Sequence, residues 1–211
     1  MFMPITKTRF LSRLLHLPLL VVLSLLSACM TTPPPRDLNN VCQIFHEYPA
    51  WYRQSLSVER QFGIPVAIQM AIIHQESHFV SEAKPPRRKL LMLIPWSRPS
   101  TAYGYSQALD GTWALYKQAQ GRFWASRTRF SDAVHFIGWY SATANHRAGI
   151  AKNNAYGLYL AYHEGVTGFQ RRTYLKKPWL IQVARKVQTR ASIYQAQLRR
   201  CRATHPNKSP S

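Results

Sequence analysis

The chain of 211 residues carries 28 Lys and Arg against 8 Asp and Glu, a formal charge of +20. A surface of that sign attracts polyanions, whether nucleic acid, anionic phospholipid or anionic wall polymer, or else reflects a basic bias with no specific partner. With so few acidic residues, a mechanism that depends on carboxylates can be located by elimination.

At the N-terminus, Lys7, Arg9 and Arg13 lead into an apolar run over residues 14–26, interrupted by His16, Pro18 and Ser24. A basic n-region, a short apolar h-region and small residues before the cut describe a secretory signal, and the run is short for a spanning helix. Its ending, Leu26-Ser27-Ala28-Cys29, resembles the lipobox of bacterial lipoproteins, which implies removal of residues 1–28 and lipid attachment to the Cys29 thiol. An uncleaved N-terminal anchor is the alternative, and it leaves the protein on the same side of the membrane. Met30, where enteric-type sorting would need Asp to retain the protein inside, favours the outer membrane, with the domain facing the periplasm. Export argues against nucleic acid as the partner. Three basic residues leave with the signal, so 25 face 8 acidic ones in the mature chain, a charge of +17.

Residues 29–40, with Pro33-Pro34-Pro35, read as a stiff extended tether. One domain follows over residues 41–202, long enough to bury its own core, with a flexible tail at 203–211. Cys42 and Cys201 lie near its two ends; in an exported protein such a pair predicts a disulfide, two buried thiols being the alternative. Closing so long a loop contributes roughly 4–5 kcal/mol in the chain-entropy treatment.

Apolar spacing predicts an all-α domain, with helices near 40–47, 49–61, 65–76, 106–120, 131–147, 152–163 and 178–199. Pro65 suits the first turn of the third helix, and Ser131-Asp132 the start of the fifth. Between the third and fourth, residues 84–106 hold four prolines and five basic residues, Lys84, Arg87, Arg88, Lys89 and Arg98. A segment of this kind either lines a binding cleft or is simply a long loop packed on the domain.

The stretch AIIHQESHF, residues 71–79, places His74 and His78 four apart with Glu76 between them. The zinc-protease pattern puts its glutamate directly after the first histidine. At ~100° per residue, Glu76 lies ~200° from His74 and ~160° from His78, pointing away from any metal they held, so no metal and no cofactor is expected. Among the eight acidic residues, Asp37 falls in the tether, Glu47 and Glu59 on polar faces, Glu82 at the loop start, Asp132 at a helix cap and Asp110 after the fourth helix's first turn. Glu76 and Glu164 remain. Glu76 sits at the edge of the stripe Ile64, Ile68, Ile72 and Phe79, ~40° from Ile72. Partial desolvation there raises its pKa as a general acid requires, although an ordinary helix-end glutamate fits the same position equally well.

Three segments resolve that choice. Glu76-Ser77, Gly104-Tyr105-Ser106-Gln107 and Ala161-Tyr162-His163-Glu164-Gly165 resemble, in order and spacing, the E-S, G-L-M-Q and A-Y-N-A-G segments of lytic transglycosylases with a soluble-lytic-transglycosylase (SLT) domain. The resemblance covers residues 60–170. It implies a lysozyme-like fold that cuts the β-1,4 bond between N-acetylmuramic acid and N-acetylglucosamine in peptidoglycan without water. It also implies Glu76 as acid and then base, Gln107 as a cleft residue contacting substrate, and Tyr162 as a partner near the carboxylate. Tyr105, Ser106 and His163 are carried over as substrate-binding or supporting positions. Ser106 and His163 stand where that family commonly has methionine and asparagine. Ser77 either hydrogen-bonds Glu76 or caps its helix, and Glu164 is a structural or supporting carboxylate. Tyr103, Tyr105, Trp96 and Tyr140 are candidates to stack on sugars, although aromatics so spaced are more often core. His74, His78, His135 and His146 are expected to be structural or solvent-facing. The rival readings are a water-using muramidase and a non-catalytic wall-binding scaffold.

Overall fold

The computed structural model describes residues 32–85 and 100–204, together with two short backbone stretches between them. The proposed signal, Cys29, Met30, Trp96 and residues 205–211 lie outside the described residues. The helices are α1 (Val41–Glu47), α2 (Pro49–Phe62), α3 (Val66–Ser77), α4 (Asp110–Ala119), α5 (Phe130–Ala148), α6 (Ala155–Glu164), α7 (Val166–Gln170) and α8 (Pro178–Thr204), with a 3-10 turn at Thr173–Lys176. In the long loop, β1 (Lys89–Leu90) pairs antiparallel with β2 (Ile94–Pro95), joining Lys89 to Pro95 and Leu90 to Ile94. That loop, expected to lack structure, therefore contains a minimal ladder. No helix among the described residues is long and apolar enough to cross a membrane.

α3 is the centre of the domain. Val66, Ala67, Ile68, Met70, Ala71, Ile72 and Ile73 are all buried, so the helix is apolar around its whole circumference. A helix of that kind must be covered on every side, and α2, α5 and α8 cover it. The expected stripe of Ile64, Ile68 and Ile72 is one part of a continuous apolar surface. Gln69, 0% exposed, is accommodated because its Nε2 donates to the Ile64 and Ser55 carbonyls at 2.7 and 3.2 Å, tying α3 to α2.

α2 and α5 meet closely at Gly138, where a Cβ would stand 2.3 Å from Val58 Cγ1. Nearby, Trp51 of α2 stacks on Phe130 of α5 at 4.2 Å between ring centroids, with Phe79 at 5.8 Å and Tyr105 at 5.7 Å. This aromatic cluster joins α2, the end of α3, the 104–107 turn and the start of α5.

Several boundaries differ from expectation. α4 begins at Asp110 rather than 106, because the isolated bridge between Tyr103 and Ala108 and the left-handed Gly104 (φ 76°) hold the preceding residues in a turn. Asp110 is thus the helix's first residue, paired with Arg127 at 2.7 Å. α6 starts at Ala155, where the Asn154 side chain accepts from Gly157 N at 2.9 Å. Asp132 is not a cap. It lies inside the first turn of α5, 2% exposed, accepting from Arg122 (2.7 Å), Arg129 (2.9 Å) and Ser126 N (2.9 Å). α7 and the 3-10 turn were hidden by Gly165 and Gly168, and α8 runs past 199 with no glycine or proline to stop it.

Residues 33–40 are not a free tether. Tyr48 donates to Pro33 O at 2.8 Å, Glu47 accepts from Arg36 N at 3.1 Å, Tyr194 donates to Leu38 O, and Gln197 Nε2 donates to Asn39 O at 2.9 Å. The described unit accordingly starts at Pro33. Just beyond, Cys42 and Cys201 form a disulfide with Cα atoms 6.3 Å apart across 159 positions. Replacing both cysteines by serine is expected to lower unfolding free energy by up to about 5 kcal/mol in the chain-entropy treatment. Urea unfolding of the double variant under non-reducing conditions checks this; an unchanged midpoint would contradict it.

Candidate active site

The three sequence segments, far apart in the chain, converge on one cleft of about 510 Å³ lined by Glu76, Ala102, Gln107, Tyr140, Tyr162, His163 and Glu164 among others. α3 delivers Glu76 in its last turn, the point at which its enclosure by other helices ends. The chain then leaves through His78 (φ 50°) and Phe79 (φ 62°), two successive non-glycine residues in the left-handed region. Each costs roughly 1–2 kcal/mol. Burial of Phe79 against Trp51 holds the turn in place. Gln107 (φ 49°), which lines the cleft, is a third such residue, and Arg172 (φ 56°), just before the 3-10 turn, is a fourth among the described residues.

The middle segment is fixed from both sides. Gly104 N donates to Ala83 O at 2.9 Å, and a Cβ on Gly104 would lie 2.2 Å from the Arg127 carbonyl, so this position requires glycine for both its φ and its clearance. Gln107 Nε2 donates to Ala83 O (2.9 Å) and Gly104 O (2.8 Å), so its side chain closes its own loop while lining the cleft. Arg127, not singled out in the sequence, donates to Thr101 O (3.1 Å) and Ala108 O (2.9 Å), holding both ends of the segment. Tyr162 reaches across from α6 and donates to Ser106 O at 2.6 Å.

Not every expected contact position faces the cleft. Tyr105, 1% exposed, packs edge-on against Trp51 and Phe130 and is core rather than a sugar platform. Ser106 is 0% exposed with its Oγ unpartnered, so the departure from methionine falls inside the protein. The Ser77 hydroxyl donates to Ile73 O at 3.2 Å, one turn back, rather than to Glu76, and the C-cap of α3 is His78. Tyr103 is half-buried between Lys84 Nζ (5.0 Å) and Arg127 (5.4 Å). His163 does line the cleft, edge-on to Trp179 at 5.1 Å. His135 is buried and bonded to the Tyr116 hydroxyl (2.9 Å), His78 and His146 are exposed, and His74 lines a different cavity from Glu76. The structure therefore does not bring Glu76 and His74 together on one ligand.

The two carboxylates of the cleft have opposite electrostatics. Glu76 opens on the cavity at one edge, but its carboxyl is surrounded by protein, and this desolvation pushes its pKa from 4.5 up to about 7. A hydrogen bond from the Tyr159 hydroxyl stabilises the anion and partly offsets that rise. Tyr159, 4% exposed, was not picked from the sequence, although it lies three residues, one helical turn, before Tyr162 on the same face. Burial also pushes the Glu164 pKa up, but hydrogen bonds from Lys177, Thr173 and His163 outweigh it and bring the value to about 2. Lys177 Nζ is 2.7 Å from Oε1 and His163 Nδ1 is 3.2 Å from it. Near neutral pH, then, Glu76 can hold a proton that Glu164 cannot.

Because the folded state raises the Glu76 pKa, this group costs stability once pH exceeds about 4.5, and the cost is complete above about 7. Glu76→Gln is expected to be more stable than wild type at pH 8 by on the order of 3 kcal/mol, with the two converging below the ordinary carboxylate range. Urea unfolding of both proteins at pH 4 and pH 8 checks this; a difference independent of pH would contradict a desolvated acid.

No curated protein and no solved structure matches the chain. Residues 17–201 match the transglycosylase SLT domain family, a span that includes every residue lining the cleft. The chain therefore belongs to that family of lysozyme-like, all-helical, glycan-cleaving domains, which act on the glycan strands of peptidoglycan.

Proposed function

We propose that the protein is a lytic transglycosylase that cleaves the bond between N-acetylmuramic acid and N-acetylglucosamine, leaving 1,6-anhydromuramic ends. The observation that carries this reading is the pairing, in one cleft, of a carboxyl raised to about 7 with a second one already committed to three donors. Glu76 in its neutral form donates its proton to the glycosidic oxygen as the bond from C1 breaks. The departing sugar takes up that proton, and positive charge develops at C1, next to the substrate's own N-acetyl group. Glu76, now an anion that accepts from Tyr159, removes the proton from the C6 hydroxyl as O6 bonds to C1. The ring closes, and Glu76 is neutral again. No water enters, and the tethered nucleophile supplies the effective concentration that a positioned water would otherwise need.

A hydrolase of the two-carboxylate type needs a second carboxylate that is free to activate water or to attack C1. Glu164 lines the same cleft, but its oxygens accept from Lys177, Thr173 and His163, and its depressed pKa makes it a weak base. We place the protein in the cell envelope, attached through lipid on Cys29 and facing the periplasm, on the strength of the Leu26-Ser27-Ala28-Cys29 sequence, and at the outer membrane on the strength of Met30 after it.

Incubation of the protein with peptidoglycan sacculi, followed by mass spectrometry of the soluble products, is expected to give anhydromuramic ends. Glu76→Gln should lower turnover by at least 10³-fold, a loss of about 4 kcal/mol of transition-state stabilisation. Reducing ends would assign a hydrolase, and sacculus binding without products from either protein would assign a non-catalytic scaffold. The pH profile gives a second check. Activity falls above pH ~7 as Glu76 loses its proton, and Tyr159→Phe, which removes a donor that favours the anion, should move that alkaline limb to higher pH. A limb that stays in place would separate Tyr159 from the acid.

A further inference from the structure

A second concavity, of about 370 Å³, lies between α3 and α8 and shares no lining residue with the catalytic cleft. Its polar lining is His74 and Gln75 from α3 with Arg185, Lys186, Thr189 and Arg190 from α8, and no carboxylate takes part. α8 carries no acidic residue over its 27 positions, so none of its own side chains neutralises this face. Arg185 and Lys186 are exposed and make no ion pair among the described residues. Arg190 is half-buried and held by neutral groups, donating to Asn39 Oδ1 at 2.7 Å and lying 5.6 Å over the Tyr194 ring. The arginine is therefore fixed in place, and no carboxylate among the described residues forms an ion pair with it. His74 registers the resulting field: burial first, then Arg190 and His78, push its pKa down to about 4. An acidic group does act close by: alongside burial, Asp37 of the N-terminal segment raises the pKa of the Tyr194 hydroxyl.

We propose that this groove is a binding site for a phosphate group, carried by a phospholipid headgroup or presented as free phosphate. Two guanidinium forks, an ammonium, a hydroxyl and an amide reach it from two helices. Donors arriving from several directions suit a tetrahedral oxyanion with three or four acceptor oxygens better than a planar carboxylate. The site is independent of the catalytic reading, because it uses none of the cleft residues. It also lies beside the N-terminal segment, since Asn39, which positions Arg190, is ten residues from Cys29, at most roughly 35 Å of extended chain.

The test uses the full chain and two readouts. Inorganic phosphate is expected to move the NMR titration of the His74 ring up from about 4 toward its ordinary range, because a bound anion offsets Arg190. Chloride at matched ionic strength should not do so, and Arg185→Gln/Arg190→Gln should lose the response to phosphate, whatever its own starting value. In the second readout, acetylation of Lys186 is followed by mass spectrometry against exposed Lys152 as internal reference. Several-fold slowing of Lys186 on phosphatidylglycerol vesicles but not on phosphatidylcholine, without slowing by inorganic phosphate, assigns the headgroup as source. Slowing by inorganic phosphate shows that the free group suffices. A chloride response equal to that of phosphate, equal slowing on both vesicles, or no effect in either readout overturns the site.

Discussion

A helix that is apolar on every side can exist in water only if other elements surround it, and α3 imposes that requirement on the whole domain. α2, α5 and α8 supply the cover, and the disulfide and Gln69 hold the cover closed. The cover ends at the last turn of α3, and there the helix presents its one carboxylate. The position of Glu76 is thus a consequence of how the core is built: the same burial that stabilises α3 keeps water from the carboxyl and makes it an acid at neutral pH. Stability and acidity are in tension at this point, since the ionised form of Glu76 weakens the fold that creates it.

The cleft then depends on two short segments that have little regular structure of their own. The 104–107 turn is held by Arg127, by the Ala83 carbonyl and by Tyr162 from α6, and these contacts over-determine the left-handed backbone at residue 107, as burial of Phe79 against Trp51 does at residues 78 and 79. The Tyr162 hydroxyl joins the second and third segments directly, and Tyr159, one turn earlier, joins the third segment to the first. One face of α6 therefore assembles the site. Glu164 closes the same helix and binds the 3-10 turn through Thr173 and the following residue Lys177, which explains why a carboxylate lining the cleft carries so low a pKa.

Much of this was legible in the sequence, for identifiable reasons. Helices were visible where apolar spacing is regular, and Glu76 emerged because so few carboxylates compete with it. In the sequence Glu76 stands at the edge of an amphipathic stripe, whereas the residue owes its environment to the end of a fully buried helix; a wheel diagram shows faces and cannot show where a cover stops. The 104–109 stretch looked helical because the constraint that unwinds it, the Arg127 clamp, comes from about 20 residues downstream. Tyr105 and Ser106 looked like contact positions because a motif records which residues occur together, not which way each points. Residues 33–40 read as a tether because their partners, Tyr48 and the far end of α8, are distant in the chain or donate to backbone oxygens that leave no composition signal.

The attachment of residues 33–40 and the Cys42–Cys201 bridge together decide how the domain answers tension. A pull on the N-terminal segment is carried first by the hydrogen bonds of Pro33, Leu38 and Asn39 and then by the covalent bridge, which passes it to the end of α8. The chain between the two cysteines, 159 positions apart, forms a closed loop that such a pull cannot extend. The cleft lies wholly within that loop. Mechanical strain arriving through the N-terminal segment would thus stop at the bridge, leaving the geometry around Glu76 unstretched.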